Sequence, residues 1–340
     1  MLRGGNNPAQ CSVRPGRPLA AANAWAHAGA TDSSFPFESA RRMPLRLALL
    51  ALAASAAFVP ALAADLPAGR TAPAAPPPSA CTESDSIPID AFGFTTGSEV
   101  ADPGSFGASL SYGGGFGVRD GRQAAHGLQL QGSYGLVPCV EIGPYLLGGY
   151  TDATIAGAKA DTRSLGAGLE MKYRLLGRDR NGIGLTVIVD PSFNRTDPSG
   201  AGTFTTYNTG LRLFADTALI RGKLYAALNL SQDLTWTGPS PYQRSSTLTL
   251  AGSLSWQVVD GIYLSAELRH QRRQDALGLG DNVGYATFAG PGVYWQATKA
   301  LAISAAYNVQ LAGNAKGQPG NLDITNFSQH LLKLKVAYSF

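Results

Sequence analysis

His330-Leu331-Leu332-Lys333-Leu334-Lys335-Val336-Ala337-Tyr338-Ser339-Phe340 is the stretch whose reading decides the fold. One parity carries His330, Leu332, Leu334, Val336, Tyr338 and Phe340. The other carries Leu331, Lys333, Lys335, Ala337 and Ser339. Period two gives an extended strand with one apolar and one polar face. A sandwich strand alternates in the same way. A strand that runs to a terminal aromatic fits an outer-membrane barrel better, because there the last strand closes the barrel and its aromatic joins the interface belt.

The same alternation recurs upstream. Twelve segments of roughly 9–14 residues are expected at 105–113, 126–136, 140–150, 163–175, 183–194, 206–219, 223–236, 246–258, 262–273, 284–296, 301–310 and 329–340, long enough for tilted strands to cross a bilayer. Their connections alternate too. Short turns such as Val137-Pro138-Cys139, Ile220-Arg221-Gly222 and Val259-Asp260-Gly261 face longer ones at 114–125, 151–162, 195–205, 237–245, 274–283 and 311–328. Short periplasmic turns opposite long external loops are the barrel pattern. Within segments, Leu224, Ala226, Leu228, Leu230, Leu234 and Trp236 oppose Tyr225, Asn229, Ser231 and Asp233. Lipid outside and a polar lumen inside explain both faces. The expected fold is therefore all-β, a twelve-stranded antiparallel transmembrane β-barrel behind a disordered N-terminal leader. Pro144, Pro191 and Pro291 fall on the apolar parity and are expected at bulges or distorted pairing.

Composition agrees with this fold: 15% of residues are charged and 41 are Gly. The net charge of +4 does not point to nucleic acid. Six Lys/Arg and two acids fall in residues 1–63; 27 less six and 23 less two both give 21, so the chain from Ala64 onward is formally neutral. Arg41-Arg42-Met43-Pro44-Leu45-Arg46, an apolar run from Leu47 to Val59 and Ala61-Leu62-Ala63 form a secretion signal. The expected division is an upstream mis-start at 1–42, a cleaved signal at 43–63, a periplasmic Pro/Ala-rich linker at 64–100 and the barrel at 101–340. Removal of the signal leaves Cys81 and Cys139 in one oxidising compartment, where a disulfide is expected; two free thiols are the alternative.

The run Gly290-Pro291-Gly292-Val293-Tyr294-Trp295-Gln296-Ala297-Thr298-Lys299-Ala300-Leu301-Ala302-Ile303-Ser304-Ala305-Ala306-Tyr307, with the final Tyr338-Ser339-Phe340, resembles the end of outer-membrane barrels in the phenol-degradation MetA-pathway transporter group. The resemblance covers about the last 60 residues and implies transport of hydrophobic or aromatic compounds. It carries no site residue over.

Strand parity places Glu141, Glu170, Lys172, Arg174, Asp190, Arg212, Asp216, Asp233, Glu267, Arg269, Lys333 and Lys335 in the lumen. Glu170, Lys172, Asp190, Arg212, Asp233, Glu267, Arg269, Lys333 and Lys335 are the selectivity candidates for a channel that passes small solutes. A salt-bridged, non-conducting barrel with a structural or surface-binding role is the alternative, and a lipid-modifying enzyme is the third reading. For the enzyme, His126, His270 and His330 lie on the apolar parity, and a Ser is needed beside one of them; His270 faces Leu250 across the 259–261 turn, which is no nucleophile. No cofactor or metal is expected. The expected partners are outer-membrane lipids and lipopolysaccharide, a barrel-assembly machinery that reads the strand ending in Phe340, and a small solute in a Gram-negative outer membrane.

Overall fold

The computed structural model describes residues 87–340, apart from 156, 200–201 and 239–240. The leader, the signal, most of the linker and Cys81 lie outside the described residues. The strands are β1 (Phe106–Phe116), β2 (Gly121–Val137), β3 (Val140–Ile155), β4 (Ala158–Lys159), β5 (Thr162–Leu176), β6 (Gly184–Pro198), β7 (Phe204–Ile220), β8 (Leu224–Thr237), β9 (Gln243–Val259), β10 (Ile262–Gln274), β11 (Asn282–Gln296), β12 (Leu301–Ala315) and β13 (His330–Ser339). A short helix, α1 (Arg178–Asn181), fills the turn after β5. β4 is a two-residue ladder on the loop after β3. The other twelve strands pair with their sequence neighbours, and β1 pairs with both β2 and β13, so the antiparallel barrel is closed. No helix among the described residues is long and apolar enough to cross a membrane; the crossing elements are strands.

Why these residues close into a barrel follows from the faces. On β10, exposure alternates residue by residue. Leu264 and Leu268 are exposed outward, as are Leu228, Leu250, Leu254 and Trp256 on the adjoining strands. Inward positions hold Ser, Thr, Asn, Gln and charged groups that are buried. A soluble protein buries its apolar face; here the inversion demands lipid outside. The strands extend further than their apolar stretches suggest. β2, for example, starts at Gly121 because antiparallel pairing with Ile155 continues into the loop region.

The three prolines each interrupt pairing on one side. Pro144 pairs with Leu169 on β5, but no partner on β2 is registered across from it. Pro191 pairs with Thr209 on β7 and lacks a partner on β5. Pro291 pairs with Ala266 on β10 and lacks a partner on β12. A residue without an N–H can satisfy one neighbour and not the other. Their side chains face outward.

The ring of strands closes where the chain ends meet. The Phe340 N–H donates to the Phe106 carbonyl at 2.9 Å, and the two rings lie 5.1 Å apart. The short turns lie at this end of the barrel and the long loops at the other.

Residues 87–100 depart from the linker expectation. They pack inside the barrel, entered from the end that holds the short turns. Ile87, Ala91 and Phe92 are buried against Tyr225, Tyr263 and Tyr294. The fit is close at Gly93, whose φ of 84° suits glycine; a Cβ there would lie 3.0 Å from Glu267 Oε2. On the facing strand, a Cβ at Gly292 would meet the Gly93 Cα at 3.1 Å. We refer to residues 87–100 as the plug.

Candidate functional site

All nine selectivity candidates lie inside the barrel, and they divide into two groups. The first runs across β3 and β5 to β8 as a chain of ion pairs. Glu141 pairs with Lys172 at 2.9 Å, and Lys172 pairs with Glu170 at 3.2 Å. Arg212 reaches Asp190 at 2.6 Å, Asp233 at 3.7 Å and Glu170 at 4.0 Å. The Tyr145 hydroxyl donates to Asp190, and Gln131 Nε2 donates to Glu170 at 3.0 Å. Inward positions on adjacent strands lie side by side, so opposite charges at matched heights find one another. Such buried pairs hold because each carboxylate has a cation within reach, and Glu141, Glu170 and Asp190 accept hydrogen bonds as well.

The second group, on β10 and β13, meets the plug. Glu267 accepts the backbone N–H of Phe94 at 2.7 Å and of Thr95 at 2.8 Å, and Asn308 Nδ2 at 3.1 Å. Lys335 binds Asp90 at 2.8 Å. Lys333 donates to the Gly93 carbonyl at 2.9 Å and lies 3.9 Å from Asp90. The Arg269 guanidinium lies 4.7 Å from the centre of the Phe94 ring and 5.4 Å from that of Phe288. Burial pushes the Asp90 carboxyl up, but Lys335 and Lys333 together outweigh it and hold the group below its ordinary value of 3.8.

A third cluster fixes the far end of the plug. Glu99 pairs with Arg178 and, at 3.3 Å, with Arg174; Arg178 also reaches Asp216 at 2.7 Å. Ser98 N–H donates to Asp216 at 2.5 Å, and Thr186 Oγ1 donates to the Ser98 carbonyl at 2.5 Å. Here burial of Glu99 outweighs Arg178 and Arg174, so its carboxyl lies above the usual range.

From the opposite end, the loop between β12 and β13 also turns inward. Phe327 packs with Ala125, Ala286, Phe288 and Leu331, and Phe94 of the plug lies against the same cluster. The buried Asp323 accepts from Asn326 Nδ2 at 2.9 Å, and Arg119 donates to Thr325 at 3.1 Å. A Cβ on Gly313 would lie 2.7 Å from Asp323 N, so the loop rests directly on β12. Plug and loop thus reach the same apolar cluster within the lumen. Beside them a cavity of about 660 Å³ runs along the opposite wall, lined by Gln129, Gln131, Glu170, Lys172, Asp190 and Arg212 together with Phe94 and Arg269 of the closed side.

The histidines sit among hydroxyl groups. His126 meets Tyr112 Oη at 2.8 Å, and His330 meets Tyr307 Oη at 2.7 Å. His270 lies opposite Leu250 on one side, as expected, but its other neighbour is Thr287, whose Oγ1 is 3.0 Å away. Parity across a single turn could not show this, because Thr287 is on the next strand over. A nucleophile–base pair also needs a third group to orient the base; among the described residues no carboxylate pairs with His270. No grouping of His, Cys, Asp and Glu suited to a metal occurs among the described residues. Cys139 occupies the tight turn between β2 and β3 with φ 69°, and Cys81 lies outside the described residues.

In architecture, the chain is similar to the β-domain of the Bordetella autotransporter BrkA, with 14% identity, a TM-score of 0.52, and coverage of 70% of this chain and 100% of that one. It is also similar to the translocator domain of the autotransporter NalP from Neisseria meningitidis (14% identity, TM-score 0.49, 71% and 90% covered) and to the COG4313 outer membrane channel from Pseudomonas putida F1 (15% identity, TM-score 0.47, 71% and 97% covered). At these identities the likeness is one of fold, that of the outer-membrane β-barrel. No curated protein matches in sequence. The family match covers residues 89–340, beginning inside the plug and not at β1, and on that match the chain belongs to DUF6662, a family of unknown function.

Proposed function

We propose that this protein is an outer-membrane channel for small solutes whose N-terminal plug closes one side of the lumen. The observation that carries this reading is the cavity of about 660 Å³ bounded by the ion-paired wall of β3 and β5 to β8. Rings of mixed charge select by charge and size while letting solutes leave again. The wall is mostly polar, which favours small polar or amphipathic solutes over the hydrophobic or aromatic ones implied by the C-terminal resemblance. The short-turn end faces the periplasm in this reading, and the linker enters there. A Cys81–Cys139 disulfide would tie the linker to the first short turn. Lipids and lipopolysaccharide surround the outward Leu and Trp residues, and the assembly machinery engages β13.

The contact between Phe94 and the Phe327 cluster favours a second reading, a barrel that stays shut. Conductance separates the two. The full chain, folded into a planar bilayer, is expected to give small unitary currents, and a form lacking residues 87–100 to give currents several-fold larger. If neither form conducts and liposomes carrying them do not swell in sugar solutions, the channel reading fails.

A further inference from the structure

The charges of the lumen are not all matched. Arg174, Arg178 and Arg212 each have a carboxylate, at 3.3, 2.7 and 2.6 Å. Arg269 is 4% exposed, lines the cavity, and makes no ion pair among the described residues. Its Nε has no hydrogen-bond acceptor. The nearest acid on its own strand, Glu267, is already occupied by two backbone N–H groups and Asn308. Asp90 is shared by Lys335 and Lys333. Lys333 and Lys335 thus share a carboxylate, and Arg269 stands on the cavity wall without one.

From this arrangement we infer that the cavity binds the carboxylate of a small organic monoanion on the guanidinium of Arg269. Two aromatic rings lie close to the guanidinium but accept no hydrogen bond in the plane of its N–H donors. A planar carboxylate matches that fork with two parallel charge-assisted bonds. A single negative charge matches the one unpaired guanidinium; a dianion such as phosphate brings a second charge with no second unpaired cation to meet it. A neutral solute leaves the buried guanidinium as it is. The proposal rests on the channel reading for placing the site on a solute path, but binding can be measured without conduction.

Calorimetric titration of the folded full chain in a neutral detergent and low-chloride buffer tests it, with acetate and benzoate as probes. Benzamide serves as the neutral isostere and inorganic phosphate as the dianion. Both carboxylates are expected to bind at least ~10-fold more tightly than benzamide, and Arg269→Gln to weaken them by ~10-fold or more. Arg269→Lys, which keeps the charge and loses the fork, is expected to fall between, and Arg221→Gln in the β7–β8 turn to change nothing. Heat-modifiable gel mobility reports folding of each variant; if Arg269→Gln does not fold, Arg269→Lys decides. Equal binding of benzamide and benzoate, phosphate tighter than acetate, or unweakened carboxylate binding by the folded variants would overturn the site and leave Arg269 as a prop for Phe94. Conduction without carboxylate binding sinks this site and spares the channel; carboxylate binding without conduction does the reverse.

Discussion

On the wall formed by β3 and β5 to β8, six charged side chains are one another's partners, while Arg174 and Asp216 meet Glu99 and Ser98 of the plug; on the wall formed by β10 and β13, Glu267, Lys333 and Lys335 take their partners from the plug. Glu141, Lys172, Glu170, Arg212, Asp190 and Asp233 form a set that involves no plug residue. Glu267, Lys333 and Lys335 instead hold Phe94, Thr95, Gly93 and Asp90. The ion pairs of the first set need no plug residue. The second set is complete only while the plug is seated. The plug is thus held from both walls, by Glu267, Lys333 and Lys335 on one and by Asp216 and Arg174 on the other.

Glu267→Ala should have the largest effect. It strands two plug N–H groups and Asn308, and a loss of about 3 kcal/mol is expected in chemical unfolding of the barrel, together with a rise in conductance as the plug loosens. Arg212→Ala removes the cation shared by Asp190 and Asp233. It should cost nearly as much, about 2–3 kcal/mol, since buried carboxylates lose their partner. Conductance is the readout that separates the walls: Arg212→Ala should leave the plug seated and open probability low. Similar opening by both variants would break the comparison.

Asp90→Asn should act more weakly, about 1–2 kcal/mol, because Lys335 and Lys333 keep a neutral acceptor. Acid should reproduce it. The folded Asp90 lies below 3.8, so its contribution is present above that pH and disappears as pH falls through the lower folded value. Glu99 titrates in the opposite sense. Its folded carboxyl lies above the model-peptide range, so its ionised form opposes the fold at higher pH, and protonation on acidification relieves that. Channel opening recorded from pH 6 down to 3 should therefore stay flat or decline first and rise only at the acid end. A rise beginning near the Glu99 range would show that Glu99, not Asp90, holds the plug. The smallest effect is expected for Pro191→Ala. Its side chain faces outward, and restoring one N–H should shift unfolding by less than about 1 kcal/mol.

The barrel was legible because alternation is a local signal. Leu224 to Trp236 declares its two faces within one strand, and the lumen position of Arg212 or Lys333 follows from parity alone. The plug was not legible because its contacts are remote. Asp90 meets Lys335 across 245 residues of chain, and the stretch Ile87 to Val100 has no period to betray it. Two signs were nevertheless present. The Pro/Ala run ends at Ala80, and the chain turns to acidic residues from Glu83 and to Ile and Phe from Ile87, with Phe92-Gly93-Phe94 in that stretch. And Lys333 and Lys335 face only Gly113, Ser111, Ala306 and Ser304 on the flanking strands. Two cations beside small neutral residues need a partner from elsewhere, and small neighbours leave the room for one. The split of the nine candidates into two walls depended on that missing partner, so sequence parity could gather them but could not divide them.

The seam between β1 and β13 has a consequence for the order of assembly. The lysines that hold Asp90 stand on β13, the strand that completes the ring against β1, while the plug precedes β1 in the chain. Seating the plug and sealing the cylinder therefore draw on the same strand. A nascent barrel with β13 still detached has no socket for Asp90, and one that sealed with its N-terminal segment outside would enclose two lysines without their counter-charge. The seam thus couples the two events: the socket for Asp90 is complete only when β13 is in place.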